Sequence, residues 1–180
     1  TRGIYYFITR DYKKAIDEYS ALLKEYPGDY VIHANLAVAY FYARDMPKAF
    51  EEGVLDVKYN PQGVHAQSNM GWYGLAVGDL NIAEEGSRAA LKIQPDYERA
   101  YVTLALTQLA KDQPAQAAET YRKLGTLSSY GASLGAIGLA DLAFYEGRLA
   151  EAIPILETGI SFDLKNSLPL QAADKYIMLA

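Results

Sequence analysis

The apolar positions of residues 30–63 follow a helical pattern rather than the alternation of a strand. Leu36, Ala37 and Tyr40 are separated by one, three and four residues, so they share one face of a helix. A second helix is predicted to begin at Pro47, because the fixed φ and missing N–H of proline suit the first helical position. The stretch therefore predicts two amphipathic helices joined by a short turn.

The same residue types return every thirty-four residues along the chain. The recurring positions are Pro27, Pro61 and Pro95; Asp11, Asp45 and Asp79; Ala15, Ala49, Ala83 and Ala117; and Gly3, Ala37, Gly71 and Ala105. A helix–turn–helix unit repeated at this period is the signature of a solenoid. The period therefore predicts an all-α fold of stacked, antiparallel helix pairs.

We expect one solenoid over residues 1–180, with about five repeats and one further helix. Ala140 lies thirty-five residues beyond Ala105, so the register gains one residue, which we place in the Gly- and Ser-rich turn at 125–133. Thr1 falls in the middle of the first predicted helix, so we expect the sequence to be a piece of a longer chain. The predicted repeats are 1–29 (partial), 30–63, 64–97, 98–131 and 133–166, followed by a helix at 168–180.

At these positions the sequence resembles the tetratricopeptide repeat (TPR) family, whose pattern includes an aromatic residue, Leu-Gly, Tyr, Ala, Phe and Pro. The matching positions are His33, Leu36, Ala37, Tyr40, Ala49, Gly53 and Pro61 in one copy, and Gly3, Tyr6, Ala15, Tyr19 and Pro27 in the copy before it. Gly53 and Ser87 depart from the aromatic residue that the family prefers, and Gly74 and Gln108 depart from its Tyr. The resemblance implies a right-handed superhelix in which the first helix of each repeat lines a concave, partner-binding surface.

Composition and charge narrow the classes of function. The net charge of −5 and the pI near 5.1 argue against a nucleic-acid partner, which would need a basic face. The absence of cysteine excludes disulfides and thiolate metal sites, but it does not assign a compartment. The most apolar stretch, residues 132–145, contains Asp141 and is too short to span a membrane.

Residues that could carry chemistry are few. His33 takes the place of a core packing residue, whereas His65 lies on another face and is available to a ligand. Gly131, Gly135 and Gly138 do not form a phosphate loop, because no strand precedes them and no Gly-Lys-Ser/Thr follows. We therefore predict no catalytic residues, no metal site and no cofactor, and hence a protein that is not an enzyme.

The first helices carry a second apolar face, turned away from their partner helices. Trp72 lies two residues beyond Met70, about 200° around the helix, so it points away from the core that Met70 enters. Phe7 extends this face in the first repeat. The open alternative is that the face packs between repeats or is covered by residues 168–180. The predicted peptide-binding residues are Asn35, Val38, Phe41, Tyr42, His65, Asn69, Trp72, Leu75, Arg99, Val102 and Leu106.

Three functions remain open at this point. The first is a non-catalytic scaffold that binds an apolar or amphipathic peptide or helix of a protein partner in its concave groove. The second is a docking or sensory region of a larger signalling enzyme, since the Ala- and Leu-rich repeats are similar to TPR regions attached to bacterial serine/threonine kinases. The third is self-association of the groove into a homo-oligomer.

Overall fold

The structure is a computed structural model that describes residues 2–180, so the expectation about Thr1 lies outside the described residues. Over the described range the chain forms eleven α-helices and no strand, which confirms the all-α prediction. The chain divides into two compact units, one up to Tyr97 and one from Glu98 onward. The first unit contains α1 (Arg2–Ile8), α2 (Tyr12–Glu25), α3 (Tyr30–Tyr42), α4 (Met46–Tyr59), α5 (Val64–Val77) and α6 (Leu80–Ile93). The second contains α7 (Glu98–Ala110), α8 (Pro114–Leu124), α9 (Ser129–Tyr145), α10 (Leu149–Lys165) and α11 (Pro169–Leu179).

Helices that follow one another in sequence pack against one another in both units. In the first unit α1 packs on α2, α3 on α4 and α5 on α6, and contacts of α2 with α3 and α4 with α5 join the pairs. In the second unit α7 packs on α8 and α9 on α10, and α8 also contacts α9. These are the helix–turn–helix units that the sequence period predicts.

The recurring aspartates begin the second helix of each pair in the first unit. Asp11 and Asp45 each accept a hydrogen bond from the backbone N–H three residues later, at 3.3 Å. Asp79 accepts from the N–H groups two and three residues later, at 3.2 and 3.1 Å. A side-chain acceptor here satisfies donors that the first helical turn leaves unpaired, which stabilises the helix by roughly 1 kcal/mol.

One residue in each turn between paired helices has a left-handed backbone. The value of φ is 60° at Arg10, 67° at Arg44, 82° at Gly78, 57° at Asp112 and 73° at Gly147. The first four residues are spaced by thirty-four positions and the last interval is thirty-five. The turns therefore keep the register of the sequence, and the extra residue lies between Asp112 and Gly147.

The connection between α8 and α9 is shorter than the turn that the sequence predicts at 125–133. α9 already begins at Ser129, because the Ser128 hydroxyl accepts a hydrogen bond from the Gly131 N–H at 3.0 Å and no proline interrupts the backbone. A Cβ at Gly131 or Gly135 would lie within 2.7 Å of a carbonyl oxygen of α8, and one at Gly138 would overlap the Tyr121 ring. These glycines therefore permit the close approach of α8 and α9, the role that the sequence favours over a phosphate loop.

Replacing Ala105 with Leu tests this packing. Ala105 is fully buried in a core cluster with Ala117, Tyr121 and Leu124, so a larger side chain there overpacks the contact between α7 and α8. We expect a loss of about 1–3 kcal/mol in the free energy of unfolding, measured by urea titration. Ala110→Leu, at the exposed end of the same helix, is the matched control. An unchanged midpoint for Ala105→Leu would contradict the helix register.

Candidate functional site

Aromatic side chains of α3 and α5 meet in the first unit. The Phe41 ring centroid lies 5.8 Å from that of Tyr42, 6.4 Å from that of Trp72 and 5.9 Å from that of Tyr73. Tyr73 is buried, whereas Phe41 and Trp72 are only partly buried and pack with one side against the core cluster that contains Tyr73. The other side of each of these two rings is accessible to solvent, so Phe41 and Trp72 lie at the edge of the core.

The aromatic contacts continue from α3 to α1 and α2. Tyr42, which is 50% exposed, lies 5.6 Å from Phe7 and stacks on Tyr12 at 5.5 Å between ring centroids. Phe7 and Tyr12 also contact each other edge to face. The sequence pattern did not predict Tyr12 as part of this surface, because Tyr12 belongs to the second helix of its repeat. Its position directly after the turn, close to the end of the first helix, was the available signal. We call the partly exposed residues Phe7, Tyr12, Phe41, Tyr42 and Trp72 the aromatic surface.

The other predicted groove residues of the first unit lie at the border of this core as well. Val38, Asn69 and Leu75 are partly exposed. Asn35 is also partly exposed, and its side-chain amide donates to the Val31 carbonyl at 2.7 Å. None of these four is buried, so each retains surface that a partner can contact.

His65 is exposed, as its predicted position on another face requires. Its Nδ1 forms a hydrogen bond of 2.8 Å with the Tyr97 hydroxyl, and the two rings are in edge-to-face contact. The imidazole is therefore already oriented by a side chain of its own unit.

The remaining predicted groove residues belong to the second unit. Arg99 is exposed, and Val102 and Leu106 are partly exposed on α7. Val102 packs against the core cluster that contains Ala105, so part of its side chain serves the fold. In the same unit the last helix, α11, contacts α10 and, through fewer residues, α9.

A buried polar group in the first unit surrounds His33, which is 4% exposed, as predicted for a packing residue. Its ring nitrogens face Glu52 Oε2 at 2.7 Å and the Pro27 carbonyl at 3.0 Å, and both bonds form together only when the ring carries two protons. Asp56, one helical turn beyond Glu52, is also buried. Burial raises the pKa of Asp56 to about 6, and the charge of His33 opposes this shift.

A second buried polar group joins three helices of the second unit. The Lys175 ammonium of α11 donates to Ser133 Oγ of α9 at 2.6 Å and to Asp163 Oδ2 of α10 at 2.5 Å. Ser133 also donates to Asp163 at 3.1 Å, and all three residues are buried. Gly159 makes room for the lysine, since a Cβ there would lie 2.6 Å from Lys175 Cε. The pattern of apolar positions did not predict this group, although Lys175 shares its helical face with the apolar residues Ala172 and Leu179.

Neither buried group has its side chains arranged as a metal centre. Within residues 2–180, no cluster of three or more His, Asp or Glu side chains is arranged to hold a metal ion. In the same described part of the chain, no helix is both long and apolar enough to cross a bilayer.

Solved structures show what this fold is similar to. A thermophilic TPR protein from Thermus thermophilus aligns with a TM-score of 0.72 and 20% identity, covering 97% of this chain and 95% of its own. A tetratricopeptide repeat protein from Parabacteroides merdae aligns with a TM-score of 0.76 and 19% identity, covering 98% of this chain and 74% of its own. MamA aligns with a TM-score of 0.76 and 19% identity, covering 92% of this chain and 90% of its own.

No protein-family model matches the chain. The solved structures nevertheless share its succession of helix pairs over nearly the whole length, in agreement with the resemblance of the sequence. The chain therefore has the tetratricopeptide-repeat fold.

Proposed function

We propose that the protein is a non-catalytic interaction scaffold whose aromatic surface binds an apolar or amphipathic segment of a protein partner. The observation that carries this proposal is the chain of ring contacts from Phe7 to Trp72, in which every member keeps exposed area. Rings of this kind bury a large apolar area with few rotatable bonds, and they dominate binding energy at protein interfaces.

The surroundings of the aromatic surface support a peptide-sized ligand rather than a reacting substrate. Asn35 and Asn69 lie on the same helices as the rings and supply amide groups that can bond to a peptide backbone. His33 and Asp56, the buried histidine and the buried aspartate of the unit, lie in the contact between α3 and α4 and do not belong to this surface. The fold supports the same conclusion, since stacked helix pairs present extended binding surfaces.

Replacing Trp72 with Ala tests the proposal. Peptides are selected from a random library on the full chain, and their affinities are then measured by titration with the native protein and the variant. We expect Trp72→Ala to weaken binding by about 2 kcal/mol, because a partly exposed tryptophan within an aromatic group is a typical binding hot spot. Trp72 is the single tryptophan, so its fluorescence should be accessible to acrylamide in the free protein and shift to the blue on binding.

Tyr145→Ala is the matched control, since Tyr145 is 83% exposed and lies in the second unit. Equal affinities of the Trp72→Ala and Tyr145→Ala variants would overturn the proposal. Light scattering over a concentration series addresses the alternative of self-association: a dimer that Trp72→Ala dissociates would mean that the surface binds a second copy instead.

A further inference from the structure

The second unit contains a groove of about 580 Å³ that is lined by α8, α9 and α10. Its walls are mainly apolar and include Tyr121, Leu139, Ile155 and Phe162. Phe162 is 37% exposed, so the groove is open to solvent along α10. A volume of this size is typical of sites for small molecules. None of the residues of the aromatic surface takes part in it.

The first unit has a groove lined by residues at equivalent positions of earlier repeats, but its volume is only about 370 Å³. The two grooves differ in their side chains at equivalent repeat positions. Val57, Gln67 and Glu85 of the smaller groove correspond to Gly125, Ala136 and Pro154 of the larger one. At these three positions the second unit has smaller side chains at two and no negative charge at the third, whereas Ile155 and Thr158 are larger than their counterparts Gly86 and Ala89. The groove of the second unit is the larger and the more apolar of the two.

One cation lies at this groove without an ionic partner. Arg122 contributes to the wall, its side chain is exposed, and it forms no ion pair or hydrogen bond with any described residue. Two of the hydroxyl groups of the wall are already engaged, because the Ser133 hydroxyl donates to Asp163 and the Thr126 hydroxyl donates to the Lys123 carbonyl at 2.8 Å. The register counterpart of Arg122 in the first unit is the apolar Val54.

From this combination we propose that the groove binds a long-chain aliphatic carboxylate, with its chain along the apolar walls and its carboxylate on Arg122. The wall from Pro154 to Phe162 spans nine residues, a rise of about 12 Å in an α-helix, which suits an extended aliphatic chain. The guanidinium favours a carboxylate over other head groups, since it can bond to both oxygens at once. A cationic amphiphile would meet repulsion at the same place.

The test is calorimetric titration of the full chain with dodecanoate below its micellar concentration, compared with dodecyltrimethylammonium. We expect the native protein to bind dodecanoate at one site and at least fivefold more tightly than the cation. Arg122→Gln should remove this preference, because it deletes the charge and keeps a long polar side chain. Val54→Gln, at the counterpart position of the first unit, should leave dodecanoate binding unchanged.

The space that Gly125 and Ala136 leave in the groove is tested separately. Gly125→Val combined with Ala136→Gln introduces the side chains of the smaller groove and should weaken dodecanoate binding at least tenfold. Ala136→Gln alone, at a partly exposed position, is the fallback if the double variant does not fold, with an expected loss of at least threefold. The proposal is wrong if native protein shows no saturable dodecanoate binding, if it does not prefer the carboxylate, or if the filled variants bind as tightly as the native chain.

Discussion

We expect a Lys175→Met variant to unfold at a much lower urea concentration than the native chain, with a loss of about 3–5 kcal/mol. The reason is the carboxylate that remains. Asp163 is fully buried, and its Oδ1 already has no hydrogen-bond partner, so without the lysine its charge would stay in the interior with only Ser133 as a donor. A loss of this size is a large part of the stability of a typical small protein.

A double variant shows whether the loss of stability in Lys175→Met comes from the buried charge or from lost packing. Lys175→Met combined with Asp163→Leu removes both charges, and we expect most of the stability to return, because an apolar pair of similar volume often replaces a buried ion pair at little cost. Lys165→Met, at an exposed position of α10, is the control. If the double variant is as unstable as the single one, the effect of Lys175 comes from the shape of its side chain and not from its charge.

We also expect the Asp56→Asn variant to become more stable than the native chain as the pH rises from about 4 to 7. Burial raises the pKa of Asp56 to about 6 in the folded state, above its ordinary value of 3.8. Between these values the folded protein holds a proton that the unfolded chain has lost, so the native chain loses stability as the pH rises through this window. A pKa difference of this size corresponds to a change of about 3 kcal/mol, across this window, in the stability of the variant relative to the native chain.

Urea midpoints of both proteins at several pH values measure this effect. His33 and Glu52 are present in both proteins, so the two proteins differ only in the side chain at position 56. Glu51→Gln, at an exposed position of the same helix, should shift the midpoint little at any pH. A stability difference between Asp56→Asn and native protein that stays constant from pH 4 to 7 would contradict a buried, protonated Asp56.

Much of the fold could be predicted because its determinants are local and periodic. Asp45 caps the helix that begins beside it, and the left-handed residue of each turn, such as Arg44 or Gly78, recurs at the same spacing. The second helix of each of the first four pairs also carries its apolar positions mainly on one face, whatever its partner is. The periodic pattern predicted a turn at Ser129, but Ser128 caps α9 and the helix already begins at Ser129.

The candidate sites depended on distances between helices. The sequence by itself predicted that Trp72 points away from the core that Met70 enters and that Phe41 lies beside it, since this follows from helical angles and the repeat period. Only the tertiary structure decided that Tyr12 stacks on Tyr42, that Lys175 reaches Asp163 past Gly159, and that α8, α9 and α10 enclose a groove. The physical reason is that periodicity reports which side of a helix is buried. The contacts across that side depend on how closely two helices approach, which small residues at single positions control.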